Sequence, residues 1–112
     1  MSVLGWILLG LVGGAVLVYF WNKIREWLTT TVLDWIEREF GYKTRQKAYK
    51  AIVKVDKVGV KIRRTATVII KSKPYSKTID YVDYESIFNV DKEVIENIKK
   101  NGSIENVFVL NY

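Results

Sequence analysis

The chain has 112 residues, 18 Lys and Arg against 12 Asp and Glu, and neither cysteine nor histidine. That length has room for one small domain. The missing residue types exclude disulfides, zinc sites of the Cys/His kind, and catalysis by thiol or imidazole.

The first 22 residues hold no charged side chain. As a helix, residues 2–21 would reach about 30 Å, the thickness of a bilayer's hydrocarbon core. A secretory signal would open on Lys or Arg and close on small residues, whereas this run closes on the bulky Tyr19, Phe20 and Trp21. The sequence therefore predicts a transmembrane helix over 1–21, with Tyr19, Phe20, Trp21, Lys23 and Arg25 at the membrane interface. Lys23 and Arg25 follow the run and nothing basic precedes it, which places the N-terminus outside and the rest in the cytoplasm. The expected location is a cytoplasmic (inner) membrane or a virion membrane. Gly10, Gly13, Gly14 and Leu17 share one helical face, and Gly10-x-x-x-Gly14 is a small-xxx-small pattern that lets helices approach closely.

Residues 22–41 read as an amphipathic linker helix. Ile24, Trp27, Leu28, Thr31, Val32, Trp35, Ile36 and Phe40 recur at helical spacing, and Gly41 suits a left-handed stop. The mixed charge of the opposite face favours packing of the tryptophans on the protein's own sheet.

From residue 47 the period changes to two. Alternation over 47–55, a turn at 56–59, and runs over 60–72 and 77–84 predict three strands. Asp91 caps a helix over 92–100 that ends at Asn101-Gly102, and 103–111 closes as a strand. The fold class expected is α+β: a transmembrane helix continuing into an amphipathic helix, then a β-β-β-α-β antiparallel domain over 42–112. A long N-terminal helix leading into an antiparallel sheet resembles the architecture of the type IV pilins. That family's basic leader, cleavage-site glycine and following glutamate have no counterpart here, and no function is carried over.

Charge is concentrated in the middle. Residues 43–77 hold twelve basic side chains against Asp56 alone, while 78–112 hold three basic and seven acidic ones. The candidate contacts to anionic lipid headgroups or nucleic acid are Lys43, Arg45, Lys47, Lys50, Lys54, Lys61, Arg63 and Arg64. Tyr42, Tyr49 and Tyr75 lie among the basic residues, where they could stack on bases. A share of this charge is expected to pair with Asp80, Asp83 and Glu85 across the sheet.

No phosphate-binding glycine loop, nucleophile elbow or metal-ligand cluster occurs. These observations point away from an enzyme, a cofactor or a small-molecule substrate. They predict a non-catalytic single-pass membrane protein, an anchor, assembly or binding subunit of a membrane-associated complex, viral or mobile-element complexes included. Its expected partners are an anionic bilayer and either further copies of itself or another membrane protein. The alternatives are a membrane-tethered nucleic-acid-binding protein acting through 43–77, and a small membrane-permeabilising effector.

Overall fold

The computed structural model describes residues 5–8 and 15–110, with side chains described over 17–110. The first strand, β1 (Gly5–Leu8), is short. Helix α1 (Ala15–Trp27) runs into a π-helical stretch (Leu28–Val32) and then α2 (Leu33–Phe40). A short α3 (Tyr42–Gln46) leads to β2 (Ala48–Val58), β3 (Lys61–Ile70) and β4 (Lys77–Ser86). A single 3-10 turn precedes α4 (Lys92–Asn101), and β5 (Ser103–Val109) follows. The strands form one antiparallel sheet in the order β1-β5-β2-β3-β4.

The expected antiparallel sheet is present. The transmembrane helix is not: among the described residues no helix is long and apolar enough to cross a membrane. The uncharged run instead serves two purposes. Gly5–Leu8 pairs with β5, from Gly5 opposite Val109 to Leu8 opposite Asn106. The helix that follows buries Leu17, Trp21 and Ile24 in the same core as the sheet. A small domain needs that apolar surface, since each such side chain contributes about 1.5–3 kcal/mol when buried. The transmembrane, single-pass reading required that helix and is withdrawn.

One core holds the molecule. Alternate residues of β2 (Ala51, Val53, Val55), β3 (Ile62, Ala66, Val68, Ile70) and β5 (Ile104, Phe108) face the helices. Opposite them stand Leu17, Trp21, Ile24, Leu28, Val32, Leu33 and Ile36 from the long helix, with Val94, Ile95 and Ile98 from α4. The long helix and α4 therefore cover one face of the sheet.

The π-helical stretch sets which helix residues are buried. Thr29 Oγ1 donates to the Arg25 carbonyl at 3.1 Å and Thr30 Oγ1 to the Glu26 carbonyl at 2.7 Å. Such hydroxyl competition for the preceding turn's carbonyls loosens the α pattern. Consecutive residues then fall on one side: Trp27 with Leu28, and Val32 with Leu33, are all buried. Regular helical spacing misses this, so Leu33 is inside while Thr31 and Phe40, expected on the inner face, are exposed. The helix passes through Asn22 unbroken and stops at Gly41, whose φ of 95° suits glycine and whose N–H donates to Glu37 O at 2.9 Å.

A candidate polyanion-binding pole

The hairpin of β2 and β3 turns through Gly59 and Val60, with Val58 opposite Lys61. Its arms then bring the start of β2 beside the end of β3. The Lys71 N–H donates to the Lys47 carbonyl at 2.9 Å, and Ile70 lies opposite both Ala48 and Lys77. A bulge at this end takes Tyr49 out of the inward row that Ala51, Val53 and Val55 form. Lys71 Nζ now sits 5.2 Å from the centre of the Tyr49 ring.

Two adjoining concavities open here, between α3 and the loop joining β3 to β4. Lys47, Lys71, Ser72, Lys73 and Ser76 line the first. The second shares Lys47, Lys71 and Ser72 and adds Thr44, Lys77 and Thr78 over an apolar floor that includes Ile70 and Ile79. No carboxylate lines either one. Of the exposed aromatic residues in this part of the chain, Phe40 lines the second concavity, while Tyr42 at the start of α3 and Tyr75 in the loop, 80% exposed, line neither.

The two kinds of basic residue divide the work. Every ion pair among the described residues uses an arginine. Arg45 reaches Asp34 and Glu37. Arg63 holds Asp56 through two hydrogen bonds, one of 2.9 Å from Nε, and this contact keeps the Asp56 carboxyl below the usual aspartate range despite partial burial. Arg64 grips Asp83 from Nε at 2.7 Å and Nη2 at 3.0 Å, and its guanidinium lies 4.7 Å from the centre of the Trp27 ring. The indole N–H of Trp27 donates to the same carboxylate at 2.9 Å. A planar fork suits such paired contacts, while a lysine ammonium is a flexible point charge.

The other sequence-derived candidates are scattered. Lys43 and Lys47 lie on or beside α3, at the pole. Lys50, Lys54 and Lys61 point, like Arg63, to the sheet face that no helix covers, and Arg64 points to the helix side. Leu17 is buried in the core, and Gly10, Gly13 and Gly14 lie outside the described residues. Trp21, expected at a membrane interface, is fully buried with its ring centre 6.2 Å from that of Phe108. Phe20 is half-buried edge-on to Trp21, while Tyr19 is exposed beneath Lys23 and Arg25 is half-buried. Asp80 takes no ion pair among the described residues; of the β4 acids Asp83, with Glu85 at 4.0 Å, answers the arginines.

Lys71, Lys73 and Lys77 were counted in the basic run but not singled out as contacts. Hairpin arithmetic could have found them. With Val58 opposite Lys61, counting back along both arms sets residue 47 beside residues 71 and 72.

No group of three metal-ligating side chains converges among the described residues. No family model matches the chain, and comparisons with curated proteins and with solved structures return no match.

Proposed function

We propose that the protein is a non-catalytic nucleic-acid-binding module whose contact surface is the lysine pole. The observation that supports this most is the convergence of Lys47, Lys71, Lys73 and Lys77 on connected concavities lined by no carboxylate. Phosphates are held by such lysines with help from Ser72, Ser76 and Thr44 hydroxyls, which can donate to phosphate oxygens. A groove between a helix and a loop suits a phosphate chain, which can thread it. A flat headgroup plane would meet only the rims.

The test is fluorescence anisotropy of a labelled oligonucleotide titrated with the full chain at low salt, beside sedimentation with phosphatidylserine vesicles. The reading expects oligonucleotide binding that weakens steeply with salt and with Lys47→Gln or Lys73→Gln. Lysine-dependent sedimentation with vesicles and no oligonucleotide binding would overturn it in favour of a lipid surface.

A further inference from the structure

We infer that the nucleic acid taken by this pole is single-stranded and that its bases stack on Tyr75. The inference rests on the nucleic-acid reading and goes beyond it by naming the strand state. Tyr75 is 80% exposed and sits between Lys73 and Lys77, two of the lysines that line the concavities. The ring makes no aromatic or cation contact among the described residues, in contrast to Tyr49, Tyr81 and Tyr19. It does not hold the fold together. An aromatic face left in water beside unpaired lysines is the arrangement of a stacking platform.

Two further exposed rings are close in sequence to the groove: Phe40 lines the second concavity, and Tyr42 lies two residues before Thr44, which also lines it. Tyr42 is 62% exposed with its hydroxyl engaged by Gln46 Nε2 at 3.0 Å, and Phe40 is half-exposed, its ring edge-on to Trp35. Those contacts fix the two rings while leaving surface open. In a duplex the base faces are stacked on each other and cannot reach such rings. An unpaired strand offers every base face while its phosphates stay free for Lys47, Lys71 and Lys73. Cation and ring therefore recognise complementary parts of one nucleotide chain.

The experiment compares a labelled 12-nucleotide oligothymidine with a 12-base-pair duplex, titrated with the full chain, Tyr75→Ala and Tyr75→Phe. The single strand should bind more tightly than the duplex. Tyr75→Ala should weaken it by roughly five- to hundredfold, the range for one base–aromatic stack, while Tyr75→Phe retains it. The salt slope of Tyr75→Ala should match the parent, because no phosphate contact is lost. Equal or tighter duplex binding, or an unchanged Tyr75→Ala, would overturn the inference; if binding still depends on salt and lysine, the broader reading survives. Absence of binding to either probe by a chain whose circular dichroism shows it folded would overturn both.

Discussion

Lys47 and Lys71 leave the backbone from adjacent points, because the Lys71 amide donates to the Lys47 carbonyl at 2.9 Å. The two side chains line both concavities of the pole, so like charges are held together by a hairpin that folds for other reasons. Like charges so arranged oppose folding and favour an anion. Removing them should weaken binding while raising stability or leaving it unchanged. Lys47→Gln with Lys71→Gln is expected to lower oligonucleotide affinity with a thermal midpoint equal to or above the parent. Lys99→Gln with Lys100→Gln, exposed at the end of α4, removes the same charge near the Gly59 turn, far from the pole, and should leave affinity nearly intact. Equal losses from the two pairs would mean that net charge alone drives binding.

Trp21 separates the present fold from a membrane-interface role. It is fully buried against Phe108, so Trp21→Ala should cost about 3–5 kcal/mol by urea unfolding. A loss below about 1 kcal/mol would contradict its place in the core.

Asp83 joins three elements by accepting from Trp27 of α1 and from Arg64 of β3 while belonging to β4. Asp83→Asn leaves the distant Glu85 as the one carboxylate paired with Arg64, beside the Trp27 ring. Both partners keep some solvent, which screens the loss, and the expected cost is about 1–3 kcal/mol. Trp27 emission should shift to the red as its ring loosens. An unshifted spectrum with parental stability would refute the linkage.

Acid should release the Asp56–Arg63 contact. The hydrogen bonds from Arg63 hold the Asp56 carboxyl below its ordinary range, so the contact's stabilisation is complete above the ordinary aspartate value of about 4 and fades as pH falls through the lowered value. The difference in thermal midpoint between the parent and Asp56→Asn should be constant from about pH 5 to 7 and shrink in more acidic solution. A difference that grows on acidification would have the wrong sign.

Gly41 ends the long helix at φ 95° with open space where a Cβ would stand. Gly41→Ala meets no clash but must hold an unfavourable backbone, and a loss of about 1–2 kcal/mol in a thermal or urea melt is expected. A neutral result would mean that the helix stop relaxes freely.

How far the sequence could be read depended on what each residue type determines locally. The strands over 48–58, 61–70 and 77–86 follow from alternation, which a half-covered sheet enforces. Asp91 accepts from the Glu93 N–H at 3.1 Å, and Gly102 closes α4 at φ 84°; both positions were expected from cap chemistry. The N-terminus was misread because an uncharged run of bilayer length is equally what a small core requires. The signal that could have decided it was the continuous stripe of Leu17, Trp21, Ile24 and Leu28, which joins the first helix to the amphipathic one and leaves no boundary at residue 21. Leu33 was missed because side-chain hydroxyls at Thr29 and Thr30 shift the helix out of regular spacing. The charge excess was plain, but its division between structural arginines and open lysines depends on cross-strand partners.

The central claim is that lysines of one pole bind nucleic acid through its phosphates. The measurement that tests it most directly is the salt dependence of oligonucleotide affinity for the parent and for Lys47→Gln/Lys71→Gln/Lys73→Gln/Lys77→Gln. Each phosphate contact removed lowers the slope of log affinity against log salt by about 0.7 for a single strand. The account requires the fourfold variant to bind more weakly with a slope reduced by about 2 to 3. A variant that keeps the parental slope, or a folded parent that binds no oligonucleotide at low salt, would contradict it.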